Sequence, residues 1–122
     1  MEIRLAIEAD VRKTLLTIVK KNEINIPVYL EVINKMPEEY WTIEKTASKN
    51  RNYIRSAQFV VQSYAKTLAR ASELNEIMKL LIEELPDMNR RIISAEVDTD
   101  YPSTDTETMQ HRYDTVFSIN HY

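Results

Sequence analysis

The chain contains no glycine in its 122 residues. Glycine is the residue that adopts positive φ at little steric cost and lets a backbone approach a ligand closely. A Walker A loop, a GxGxxG turn, a G-x-S-x-G nucleophile elbow and an EF-hand loop all depend on it. The sequence therefore excludes these four motifs, and with them most nucleotide-binding and hydrolase functions.

Length, cysteine content and net charge limit the possible domain number and the possible functions. A chain of 122 residues forms one domain, 1–122, large enough to bury a core without staples. The absence of cysteine removes disulfides, thiolate nucleophiles and cysteine-based metal sites. The net charge of −3 argues against a dedicated nucleic-acid binder. Without a long apolar run or a signal peptide, we expect a soluble intracellular protein that does not contact a membrane.

Hydrophobic periodicity predicts the element order α-β-β-β-α-β-β. The helices are predicted at 3–21 and 66–85, with Pro86 ending the second because the residue before a proline avoids the α region. Alternation of Ile3, Leu5 and Ile7 leaves an extended first turn as an alternative. The strands are predicted at 28–33, 39–46, 54–64 and 91–98, followed by one from Met109 to the C-terminus. Polar loops are predicted at 47–53 and 99–108.

Runs of strands between two helices are typical of an α+β fold. Short connections favour a mainly antiparallel five-stranded sheet with both helices packed on one face. The third strand is predicted to be central, because Phe59-Val60-Val61 is apolar on both faces. On the last strand, Tyr113, Phe117 and Ile119 are predicted to face the core. The other face of the sheet must then be solvated or covered by another subunit.

Two charged clusters are the candidate subunit-interface sites. The basic group around the 47–53 loop contains Lys45 and the candidates Lys49, Arg51 and Arg55, with Tyr53 among them. The acidic group comprises Asp98, Asp100, Asp105 and Glu107. Loops of opposite sign suit a head-to-tail contact between neighbouring subunits, although they could equally pair within one subunit. Alternatives for the two groups are phosphate binding, a hard-cation site, or ordinary solvated loops.

No enzyme constellation is predicted. His111 and His121 are ten residues apart on one strand, about 33 Å if the strand is straight, so they cannot share a metal ion within one subunit. A triad of His111 with Asp114 and a serine is conceivable, but nothing in the sequence fixes its geometry. We therefore predict no catalytic, metal-binding or cofactor-binding residues.

Four sequence blocks resemble a known protein family. They are INIPVYLEV (24–32), YWTIEKT (40–46), VQSYAKTLARASELNEIMKLL (61–81) and the segment 99–122. The last block contains Thr99-Asp100-Tyr101, Thr104-Asp105-Thr106, Arg112-Tyr113, Val116-Phe117 and His121-Tyr122. Together they resemble the tail terminator, or tail completion, proteins of long-tailed phages and prophages of Gram-positive bacteria. One departure is Ala47-Ser48, where the family often has glycine.

The resemblance implies a structural virion protein. Tail terminators form a homo-hexameric ring on the head-proximal end of the tail tube, stop polymerisation of the major tail protein and present a docking surface for the head connector. The genome DNA would pass through the lumen without specific binding. The protein would lie in the virion at the head–tail junction, and in the host cytoplasm during assembly. The alternatives are a head-completion or neck ring protein, a small nucleic-acid-binding module, and a small enzyme or metal protein.

Overall fold

The computed structural model describes residues 6–31, 35–51, 54–104 and 110–122. Its helices are α1 (Ile7–Lys21), α2 (Leu68–Glu83) and a single turn, α3 (Leu85–Met88). Its strands are β1 (Val28–Tyr29), β2 (Tyr40–Arg51), β3 (Ile54–Ala65), β4 (Ile92–Thr104) and β5 (His111–His121). The predicted start of the first helix at residue 3, with its extended alternative, lies outside the described residues.

The five strands form one mixed sheet in the order β1-β2-β3-β5-β4. The short β1 runs parallel to β2, and the remaining neighbours are antiparallel. This is the predicted α+β class, with the predicted order of main elements. The prediction that β3 is central is also confirmed, because β3 pairs with β2 on one side and with β5 on the other.

One hydrophobic core lies between the helices and the sheet. Its stripe on α1 includes Val11, Leu15 and Ile18, and its stripe on α2 includes Leu74 and Met78, at the three- and four-residue spacing of a helix face. The sheet contributes the fully buried side chains of Trp41, Phe59 and Phe117. Phe117 and Ile119 are buried as predicted, and Tyr113 packs against the core half-buried. Both helices therefore cover the same face of the sheet.

The end of the second helix was predicted wrongly. α2 ends at Glu83, and Pro86 lies in the first turn of α3 instead of after a helix end. A proline is tolerated there because the first N–H groups of a helix have no intrahelical partner. At the other end of α2 the Thr67 side chain accepts a hydrogen bond from the Arg70 N–H at 3.1 Å, which caps the helix.

The prediction of polar loops at 47–53 and 99–108 was also wrong for most of these residues. Residues 47–51 continue β2, and residues 99–104 continue β4. Of the first strand, predicted at 28–33, the described residues 28–31 contain only the two-residue β1, and residues 32–33 lie outside the described part. Pro102 lies inside β4, opposite Tyr113. This is possible because β4 is an edge strand, where a missing N–H on the outer side breaks no ladder hydrogen bond.

The turn after α1 shows how the chain manages without glycine. The N–H groups of Glu23 and Ile24 donate to the carbonyls of Lys20 and Val19, at 3.1 and 3.0 Å. This is the Schellman pattern, which needs a left-handed residue in the position that Glu23 occupies with φ of 57°. A glutamate there has a steric cost that glycine would not have.

Candidate functional site

The face of the sheet opposite the helices is the candidate site, and we call it the open face. The strand registers show which residues share a face of the sheet, and the buried core identifies the face that the helices cover. The remaining residues belong to the open face. They are Tyr40, Thr42, Glu44 and Lys49 on β2, Ser56, Gln58, Val60, Gln62 and Tyr64 on β3, Arg112, Asp114, Val116, Ser118 and Asn120 on β5, and Ser94, Glu96, Asp98 and Tyr101 on β4. The open face has two distinct ends.

At one end, tyrosine rings and an arginine form what we call the tyrosine–arginine cluster. The rings of Tyr40 and Tyr64 stack with centroids 4.4 Å apart, and Tyr29 meets Tyr40 edge-on at 6.2 Å. The guanidinium carbon of Arg112 lies 5.9 Å from the Tyr64 ring centre, a cation–π distance. Tyr40 and Tyr64 are only 2% and 7% exposed, although they stand on the face that the helices leave uncovered.

Asp114 completes the cluster as a buried carboxylate. It is 4% exposed, and its Oδ1 lies 3.0 Å from Nε of Arg112. This distance makes an ion pair, but the N–H does not point at the oxygen well enough for a hydrogen bond. Burial raises the pKa of the Asp114 carboxyl, and the Arg112 charge opposes that rise. Burial therefore disfavours the charged form of Asp114, and the neighbouring Arg112 charge favours it.

The pKa of Arg112 is raised above its usual value. Burial lowers it, but the contacts with Tyr64 and Asp114 outweigh that effect. Nη2 of Arg112 also donates to the Ser103 hydroxyl at 2.7 Å, which ties β5 to β4. Across the other two strands, the hydroxyls of Thr42 and Tyr64 donate to the side-chain oxygen of Gln62 at 2.7 and 3.3 Å. The cluster thus joins residues of β1, β2, β3 and β5, and the Ser103 hydrogen bond connects it to β4.

At the other end, the open face forms a shallow groove of about 420 Å³. Small and polar residues line it: Ala47, Ser48, Lys49, Ser56, Ala57, Gln58, Ser118 and Asn120. Lys49 lies on the β2 side of this groove, and Glu96 and Asp98 lie on β4 beyond the other side. Because three strand spacings separate β2 from β4, the two sides are about 14 Å apart.

The structure separates the predicted acidic residues. Asp98 accepts a hydrogen bond from the Ser118 hydroxyl at 2.6 Å on the open face. Asp100 lies on the helix face, where the Asn75 amide and the Lys79 ammonium donate to it at 2.8 and 3.1 Å. A β-bulge between Val97 and Thr99 causes this separation, because one extra residue inverts the alternation of side chains. Asp105 and Glu107 lie outside the described residues.

The predicted basic residues are separated as well. Lys49 stands on the open face, whereas Arg55 stands on the helix face, opposite His121. Arg51 ends β2 and pairs with Ile54, and its side chain is outside the described part. Lys45 lies on the helix face by regular alternation with Trp41 and Ile43, with Glu8 at 3.4 Å, and the bulge between Lys45 and Ala47 places Lys49 on the opposite face. Tyr53 is outside the described residues.

A second concave region, of about 510 Å³, lies between the start of α1 and the β2–β3 hairpin. It is lined by Lys45, Arg55, Arg91 and His121, with Glu8 among them. His121 is 3% exposed, and burial lowers the pKa of its imidazole, with the neighbouring cations lowering it further. Arg91 is already paired with Asp10 at 3.2 Å. The sequence reasoning did not identify this group, because its members are far apart along the chain.

The possible triad does not form. His111 lies on the helix face and Asp114 on the open face, since they are an odd number of residues apart on a regular strand. Within the described ranges, no group of three or more His, Asp or Glu side chains is arranged to hold a metal ion. No helix in those ranges is both long and apolar enough to cross a membrane.

Comparison with known proteins gives no assignment. No protein-family model matches the chain, and no curated protein matches it at a significant level. Sequence reasoning missed the tyrosine–arginine cluster as a unit, although each of its tyrosines was visible in one of the four blocks described above.

Proposed function

We propose that the protein is a ring-forming tail terminator, which caps the head-proximal end of a phage tail tube. One observation carries the proposal beyond the sequence resemblance. The four blocks that resemble the family each contribute to the tyrosine–arginine cluster: Tyr29 comes from the first, Tyr40 from the second, Tyr64 from the third, and Arg112 with Asp114 from the last. The blocks thus meet in one structural unit.

The architecture is compatible with ring assembly. Both helices pack on one face of the sheet, so among the described residues the groove end of the open face and the outer edges of residues 43–51 and of β4 are accessible to other subunits. A closed ring needs heterologous contacts, in which one surface of a subunit meets a different surface of the next. In the proposed mechanism one side of the ring reproduces the contact that a tube subunit offers. The opposite side does not, so polymerisation stops there and the head connector docks.

The test is assembly on tail tubes. Six copies of the 14.4 kDa chain would give a ring of about 86 kDa, measurable by mass photometry. Negative-stain images with purified tubes should show density on one tube end only. A protein that stays monomeric at every concentration and never decorates tube ends would refute the proposal. A ring that ignores tubes and binds the portal side would support a head-completion protein instead.

DNA binding separates the proposal from the nucleic-acid alternative. A subunit with net charge −3 should not hold duplex DNA. Fluorescence anisotropy at about 150 mM salt should show no binding tighter than roughly 1 µM, the limit of the usual non-specific range. Submicromolar affinity at that salt would favour the nucleic-acid-binding alternative.

A further inference from the structure

The sheet has two accessible outer edges of opposite charge. On one side, β1 pairs only with Trp41 and Thr42, so in the described part of the chain no strand pairs with the outer edge of residues 43–51. On the other side, β4 pairs with β5 alone, so its outer edge has no strand neighbour among the described strands. Unpaired strand edges readily dock against other chains.

The charges differ between the two edges. Residues 43–51 contain Lys45, Lys49 and Arg51 against one acid, Glu44. β4 contains Glu96, Asp98 and Asp100 and no basic residue. Several of these charges already have partners within the subunit: Lys45 with Glu8, Asp98 with Ser118, and Asp100 with Lys79.

Three of these charges are exposed and, among the described residues, have no hydrogen-bond or ion-pair partner: Lys49 and Glu44 on β2, and Glu96 on β4. Lys49 and Glu96 are the pair of opposite charge that two neighbouring copies could bring together. β4 also carries exposed apolar surface at Ile93 and Tyr101, which are 40% and 45% exposed. This edge therefore offers apolar contact area in addition to charge.

The geometry suits a contact between copies of the chain. β2 is antiparallel to β3, β3 to β5 and β5 to β4, so β2 and β4 run in opposite directions. If the next copy lies beside the first with its sheet in the same orientation, its β4 meets residues 43–51 of β2 in antiparallel fashion, because β1 already occupies the outer side of Trp41 and Thr42. Lys49 and Ser94 share one row of the sheet, and Glu96 is two residues further along β4 on the same face. Diagonal neighbours of this kind lie within reach of long side chains.

We propose that the basic edge of β2 in one copy docks against the acidic edge of β4 in the next copy, with Lys49 facing Glu96. The proposal rests on the proposed ring function and names the contact that closes the ring. Two bulges and Pro102 interrupt the outer edge of β4, so the contact consists mainly of side chains and not of a long backbone ladder. Each subunit offers both edges, as a head-to-tail ring requires.

Charge reversal tests the contact. Lys49→Glu and Glu96→Lys should each raise the concentration at half assembly by roughly tenfold, measured by mass photometry or native mass spectrometry. Matched controls are Lys13→Glu and Glu83→Lys, which reverse exposed charges on the two helices and should leave assembly unchanged. Unchanged melting temperatures would show that the variants fold.

Mixing the two variants gives the sharpest test. A ring in which the two variants alternate has two kinds of interface. In one, the glutamate at position 49 of the first variant faces the lysine at position 96 of the second, so the charges are exchanged but still opposite. In the other, the original Lys49 faces the original Glu96. Assembly should therefore recover in an equimolar mixture, and isotope labelling should show equal numbers of the two variants in each ring. If the wild type assembles but the reversals have no effect, or the mixture does not recover, the edge contact is refuted and the ring proposal stands. A wild type that remains monomeric and never caps tubes refutes both.

Discussion

Replacing Arg112 with methionine probes the buried ion pair of the open face. The substitution keeps an unbranched side chain over the Tyr64 ring but leaves the Asp114 carboxylate without its counter-charge. Breaking a buried pair from one side typically costs about 3–5 kcal/mol, because the remaining charge is buried and unpaired. Here the Arg112 side chain is 26% exposed and that of Asp114 only 6%, so we expect the lower end, about 3 kcal/mol.

The loss should depend on pH in a defined direction. The pKa of Asp114 is raised by burial above its usual value of 3.8, so the folded state binds the proton more readily than the unfolded state. A charged Asp114 therefore lowers stability as pH rises through the folded pKa, and this penalty is absent below the unfolded pKa. Without Arg112 the pKa should rise further. The Arg112→Met variant should thus lose most stability near neutral pH and approach the wild type in acid.

Urea denaturation at several pH values measures this effect. The double variant Arg112→Met/Asp114→Leu should recover to within about 1 kcal/mol of the wild type at neutral pH, because no charge is left buried. The control is Arg70→Met, which removes a surface pair with Glu39 and Glu73 and should cost only about 0.2–1 kcal/mol. An Arg112→Met variant whose loss is as small as that of Arg70→Met and does not change with pH would refute the argument.

Three further predictions follow from the core, the turn after α1 and the C-terminus. Phe117→Ala should lower the free energy of unfolding by about 3–5 kcal/mol, since Phe117 is fully buried and stacked on Phe59 at 5.3 Å; a soluble variant with an unchanged melting temperature would contradict this. Glu23→Gly should raise the free energy of unfolding by about 1 kcal/mol, because glycine adopts the left-handed φ of 57° without strain. Glu23→Ala should not raise it, and equal effects of the two substitutions in urea titrations would exclude this cause. His121 has a lowered pKa, so the unfolded state binds its proton first, and the free energy of unfolding should fall as pH drops below about 6.5. His121→Gln should remove that part of the pH dependence. An unchanged slope of unfolding free energy against pH would show that other groups cause it.

The sequence alone was sufficient for the features that depend on local periodicity. The stripe of Val11, Leu15 and Ile18 and the alternation of Phe117 and Ile119 each identify a face, because an amphipathic element buries its apolar side whatever its neighbours are. The α+β class and the central place of β3 follow from the same patterns. The candidate interface residues were found as charges in the sequence, but their arrangement was not.

Tertiary structure decided which side each charge faces and which polar groups are buried. Bulges in β2 and β4 invert the alternation, so Asp98 and Asp100 stand on opposite faces although their spacing predicts one face. A bulge depends on pairing with a strand that is distant in the sequence, and local periodicity carries no record of it. The alternation of β5 likewise predicts that Asp114 faces solvent, yet it lies buried beside Arg112 because residues of four strands meet in the tyrosine–arginine cluster.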